Sequence, residues 1–210
     1  MADAPPSPPP GEIPGETTGE TPGEILGAFA AVVLAGGTAV RMGGIDKASV
    51  ELHGRNLLAR ALEAVIDAWF ARTLEENPIL VAVERDPDAG PMERRWFARV
   101  VGEEKDTSTI RLTLRQRMLH HETYVMPAPE ENHAAFHQHL LKRNSSLVGV
   151  SFCVGEEDAL LLVGALPAST VDDAGLDRLL GTVWTAVERC FRPALRIGFA
   201  SRFGGTGGGD

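Results

Sequence analysis

The chain has 210 residues, 43% of them hydrophobic and 6% aromatic, enough to bury one substantial core. Its formal net charge of −9 sets up a field that repels phosphate, which argues against nucleic acid or an anionic membrane as the default partner. Two cysteines, Cys153 and Cys190, read as buried thiols of a reducing compartment. No apolar run reaches the ~18 residues of a bilayer span, and no basic-then-apolar secretion pattern opens the chain, so a cytoplasmic protein is expected.

Residues 1–29 are rich in Pro, Gly and Glu, and a Gly-Glu pair recurs every four residues from Gly11 to Glu24. Such a stretch cannot bury enough apolar area to offset its ordering entropy, so a disordered tail is expected, as is a flexible Gly-rich end over 204–210. Ala30 to Ala35 is a continuous apolar run closed by Gly36-Gly37, the pattern of a buried strand. A helix is predicted from about Asn56, with Leu58, Leu62, Val65, Ile66, Trp69 and Phe70 at helical spacing, stopping before Asn77-Pro78.

The period then changes. Ile79–Glu84, Trp96–Val101, Thr109–Leu114 and Met118–Val125 read as four strands, followed by a helix from Glu131 to Arg143. Leu147–Val154 and Ala159–Gly164 flank a polar turn and predict a hairpin. A last helix follows Asp172, with Leu176, Leu179, Leu180, Val183 and Val187 on one face. It is expected to end before Pro193, with Leu195–Phe199 as a short final strand. From residue 63 onward the order predicts an α+β fold with an antiparallel sheet and packed helices, preceded by a Rossmann-like strand-loop-helix fragment.

The fragment carries the first chemistry. Glycines after a buried strand let backbone N–H groups approach phosphates, and Arg41 and Lys47 can neutralise a triphosphate. The string LAGGTAVRMGGIDKASVELHGRNLLARAL resembles the N-terminal signature of MobA-like nucleotidyltransferases, the molybdenum cofactor guanylyltransferase group. It matches at Leu34 to Gly37, Arg41 to Gly43, Asp46-Lys47, Gly54-Arg55 and Leu57-Leu58, over residues 30–66. The resemblance implies a nucleotide-binding loop of Leu34, Ala35, Gly36, Gly37, Arg41 and Lys47, used with Mg²⁺ and GTP or CTP. Such an enzyme also needs strand-end aspartates on a parallel sheet. The nearest, Asp86 and Asp88, read as a solvated turn because no strand-helix alternation follows them.

The larger part, 63–203, points elsewhere. The stretches AVIDAWFARTLEENP, GEEKDTSTIRLTL, HHETYVMPAPEENHAAFHQHLLKRN, LVGVSFCVGEEDALLLVGALP and FRPALRIGFASRF resemble the actinobacterial branch of the YbjN-like family of sensory transduction regulators. This resemblance implies a type III secretion chaperone-like two-layer domain, often dimeric, with no known catalysis. The two resemblances meet inside one helix.

Remaining candidates read as structural. His133 and His137 are an i, i+4 pair on a predicted helix and His139 points away, so a third metal ligand is lacking. Of His120 and His121, on one strand, one is expected to turn inward and be hydrogen-bonded. Gly102–Asp106 reads as a charged turn. Arg111, Arg115 and Arg117 share a strand face, either solvated or open to an acidic peptide such as the Glu-rich tail. No catalytic residue, metal site or resident cofactor is expected. A non-enzymatic regulatory or chaperone-like domain follows, binding a protein partner or itself as a homodimer. The alternatives are a nucleotidyltransferase and a weak nucleotide sensor.

Overall fold

A computed structural model of the chain describes residues 51–203 apart from 53, 54, 91, 92 and 116. The predicted strand over 30–35, the loop residues Leu34, Ala35, Gly36, Gly37, Arg41 and Lys47, and both tails lie outside the described residues. Two short strands, β1 (Glu51–Leu52) and β2 (Arg55–Asn56), pair antiparallel just ahead of the first helix.

Helix α1 (Leu57–Glu76) buries Leu62, Ile66, Trp69, Phe70 and Thr73, a stripe at helical spacing that faces the sheet. Six strands follow around two further helices: β3 (Leu80–Arg85), β4 (Glu93–Val101), β5 (Thr107–Arg115), β6 (Met118–Met126), α2 (His133–Asn144), β7 (Val150–Val154), β8 (Leu160–Pro167) and α3 (Asp173–Gly198). A single turn, α4 (Ala200–Phe203), closes the described chain. The sheet order is β3-β4-β5-β6-β8-β7, and every neighbouring pair is antiparallel. This is the predicted α+β architecture, built as a meander plus a hairpin.

Register divides the strands into two faces, because side chains alternate along each strand and directly paired residues share a side. One face carries the cross-strand rows Trp96–Leu112–His121–Gly164–Val150 and Ala98–Ile110–Thr123–Leu162–Phe152. Together with α1, α2 and α3 these rows form one buried cluster. The two buried indoles each find a carboxylate: Trp69 Nε1 donates to Asp177 at 2.7 Å and Trp96 Nε1 to Asp67 at 2.8 Å.

α3 starts where Asp172 caps it, its side chain accepting from the Gly175 N–H at 2.7 Å. It does not end before Pro193, and Leu195–Phe199 is not a strand. The helix runs through the proline to Gly198. An interior proline forfeits one backbone bond and costs about 3 kcal/mol. Burial outweighs that penalty here, because Ala194 and Gly198 continue the apolar stripe of Cys190 beyond the proline. The helix end is also held: Gly198 O accepts from the N–H of Glu130 and Glu131, and Ile197 O from Asn132 Nδ2. Strand β7 likewise begins later than predicted, since residues 145–149 turn back on α2 and Gly149 takes a left-handed φ of 76°.

Candidate protein-binding face

The three long helices pack against one face of the sheet. The other face is laid out in rows across the strands. Phe97, Arg111, Glu122, Val163 and Ser151 form one row, Arg95, Thr113, His120 and Ala165 the next, and Glu93, Arg115 and Met118 a third. On the far side of the first row, Tyr124, Leu161 and Cys153 continue the surface. A shallow depression of about 480 Å³ opens over Arg111, Thr113, Arg115, His120, Glu122 and Val163. One end is ionic and the other apolar.

The ionic end is internally neutralised. Arg111 pairs with Glu122 at 2.8 Å, Arg115 with Glu93 at 2.6 Å, and Arg95 with both Glu93 at 3.1 Å and Asp86 at 2.6 Å. The predicted arginine stripe is therefore present at Arg111 and Arg115, but each guanidinium is matched by a carboxylate from the neighbouring strand. Arg117 lies on the β5–β6 turn. At the apolar end, Tyr124 is 50% exposed and Phe97, Leu161 and Val163 are half-buried. Burial and the nearby Glu122 carboxylate raise the pKa of the half-buried Cys153 thiol, which makes it a poor nucleophile.

The two sheet edges differ from a bare strand at one point each. Asn144 at the end of α2 sets its side-chain amide on β7, accepting from Phe152 N at 2.8 Å and donating to Phe152 O at 3.0 Å. On β3 a register shift between Leu80 and Ala82 bends the edge. Nothing in the sequence marks Asn144 for this role. The apolar face was legible in LLLV (160–163), a continuous run that requires apolar surroundings on both sides of the strand.

The other predicted candidates sit apart. His121 is the inward one of its pair, 2% exposed, while His120 lies on the open face. The expected hydrogen bond is missing: neither ring nitrogen of His121 has a partner among the described residues. Burial, with a smaller push from His120, brings its pKa down to about 4. A Cβ at the paired Gly164 would lie 2.4 Å from His121 Nε2, so the glycine makes room for the ring.

His133 and His137 are exposed on α2 and His139 is half-buried, and no cluster of three or more metal-ligating side chains occurs among the described residues. The charged turn at Gly102–Asp106 is tied to α3, where Glu188 accepts from the N–H of Glu103, Glu104 and Lys105. Burial lowers the Lys105 pKa to about 8, and its Nζ donates to Tyr124 O at 2.6 Å. Asp86 has both carboxylate oxygens engaged, one by Arg95 and one by the Asp88 N–H. The buried Cys190 thiol has its pKa pushed up to about 11.

Residues 95–196, from β4 into α3, match the YbjN family model, described as "Putative bacterial sensory transduction regulator". The MobA-like NTP transferase domain model matches residues 31–120, well past Ile66 where the signature read from the sequence stops. The two matches overlap over 95–120, and the strands built there are an antiparallel meander. Uncharacterized protein ML2442 of Mycobacterium leprae is 35% identical over 107 residues, 51% of this chain and 58% of its own length. Uncharacterized protein Rv0487 of Mycobacterium tuberculosis is 33% identical over 100 residues, 48% of this chain and 55% of its own. The chain thus spans a little over half the length of these curated relatives.

Among the described residues, no helix is long and apolar enough to cross a membrane.

Proposed function

We propose that this chain is a non-enzymatic, cytoplasmic regulatory module that binds a protein through the open face of its sheet, with a second copy of itself as the first occupant. The observation that carries this reading is a half-apolar sheet face that none of the three long helices covers. Phe97, Tyr124, Leu161 and Val163 offer area to bury, and the Arg111–Glu122 and Arg115–Glu93 pairs frame it with fixed polar rows. A two-fold contact brings the same face of both copies together, which suits a surface whose charges are already balanced. A chaperone-like variant of this reading lays an extended segment along the same rows. The match to a family of sensory transduction regulators supports the regulatory sense.

Sedimentation equilibrium of the full chain tests it. A concentration-dependent dimer that becomes monomer with Val163→Glu is expected, because a carboxylate in the middle of the contact would be desolvated without a partner. A mass that is the same with and without Val163→Glu would remove the face as the contact.

A second reading is favoured by the match over 31–120: transfer of a nucleotide from GTP or CTP, or binding of one without turnover, at Leu34 to Gly37, Arg41 and Lys47. Asp86, the strand-end carboxylate that follows next in the sequence, accepts from Arg95 on one oxygen and from the Asp88 N–H on the other.

A further inference from the structure

Helix α3 divides its charges between two sides. Its three acids are committed to α1 and the β4–β5 turn: Asp173 pairs with Arg72 at 3.0 Å, Asp177 accepts the Trp69 indole, and Glu188 holds the 103–105 backbone. Arg178, Thr182, Thr185 and Arg189 recur at i, i+4, i+7 and i+11, a separate stripe of the same helix that lines an open groove of about 590 Å³. Arg143, near the end of α2, lines it as well.

The groove gathers one sign of charge in a chain whose formal net charge is −9. No Asp or Glu lines it, α2 contains none, and none occurs over the following residues 145–154. Arg143, Arg178 and Arg189 have no ion-pair partner among the described residues, whereas Arg95, Arg111 and Arg115 of the sheet face are each matched by a carboxylate. The local field acts on a neighbour: after burial, the charges of Arg143 and Lys142 further lower the pKa of His139. Much of the remaining lining is apolar, from the buried Phe152 and half-buried Leu147 to Val148, which is 87% exposed.

We propose that this groove docks an acidic segment of a partner protein, one that carries carboxylates on either side of an apolar residue. Charge complementarity selects the occupant. Each guanidinium can hold a carboxylate through two parallel N–H donors, and three of them stand ready with no internal acid to displace. Arg178 and Arg189 are about 16 Å apart along the helix axis. An extended segment covers that distance in about five residues, so its acids reach the two ends while an apolar side chain between them covers Leu147 and Val148. Nucleic acid fits less well. Outside the groove its phosphates would meet the field of a strongly acidic chain, and Phe152, the aromatic ring of the lining, is too buried to stack on a base.

The test uses the full-length protein and a labelled, end-capped peptide of ten residues, glutamates with two leucines at the centre, followed by fluorescence anisotropy at low salt. Saturable binding is expected. Arg143→Ala, Arg178→Ala and Arg189→Ala together are expected to weaken it about tenfold or more, and these side chains are exposed or half-buried, so the fold survives their loss. Raising salt to about 0.3 M is expected to weaken it too. A peptide with glycines in place of the leucines is expected to bind several-fold more weakly. The proposal is overturned if the glutamate peptide does not bind, if binding ignores the arginine substitutions, or if the leucine-free peptide binds equally well. Arginine-dependent binding of a single-stranded oligonucleotide or of anionic vesicles, with none of the peptide, would overturn it as well. The groove and Val163 lie on opposite sides of the sheet, so the outcome is independent of the sheet-face reading.

Discussion

Trp96 and Phe97, like His120 and His121, are neighbours in the chain that end on opposite sides of one sheet, and the two sides treat polar groups differently. On the open side, Arg95, Arg111 and Arg115 each meet a carboxylate from a neighbouring segment, although Arg95 Nε itself is buried without a partner among the described residues. On the helix-covered side, His121 is enclosed among Leu112, Gly164 and their neighbours, with no partner for either nitrogen among the described residues. The covered side therefore supplies stability and tolerates little change. The open side contributes little to stability and is free to carry function.

The contrast is sharpest at Trp96 and Phe97. Trp96→Ala removes a fully buried ring and leaves Asp67 without its indole donor, and is expected to cost about 3–5 kcal/mol. Phe97→Ala is expected to cost less, as its ring is only half-buried, while weakening self-association. Denaturant titration of both variants checks the ordering, and equal losses would mean that the open face is in fact core.

His121 gives the next largest effect. Its pKa is about 4 in the folded chain against 6.5 when solvated, so the neutral form is the one the fold holds. The stability this confers is full above pH 6.5 and is lost as pH falls towards 4, by about 3 kcal/mol over that window. His121→Leu is expected to flatten this limb of the stability profile, and an unchanged profile would refute the assignment. Smaller again is Asn144→Ala. It leaves the Phe152 N–H and carbonyl on an open strand edge, at a cost of about 1–3 kcal/mol, and makes the protein aggregate through β7. The smallest effect belongs to Arg111→Ala, which breaks a largely exposed ion pair with Glu122 and is expected to change stability by under about 1 kcal/mol.

Much of this fold was legible in the chain. The helical spacing of Leu62, Ile66, Trp69 and Phe70, and the alternation in the four meander strands, follow from one-dimensional periodicity and came through with boundaries shifted by a few residues. What was not legible depends on distant partners. Pro193 breaks a helix by local rules, but the burial of Ala194 and Gly198, and the donors that Glu130, Glu131 and Asn132 bring to the helix end, override them. Strand alternation put Arg111 and Arg115 on one side, yet only the register of β4, β5 and β6 reveals that Glu93 and Glu122 neutralise them. The groove of Arg143, Arg178 and Arg189 joins two helices separated by a hairpin, and no local pattern brings those residues together.

The claim that this chain binds protein rather than converting nucleotides is tested most directly by calorimetric titration of GTP, CTP and ATP with Mg²⁺. The titrations go into the intact chain and into the Arg41→Ala/Lys47→Ala variant. Heats no larger than dilution are expected for both proteins. Micromolar binding by the intact chain that disappears in the double variant would contradict the claim, and would make Gly36, Gly37, Arg41 and Lys47 a working nucleotide site.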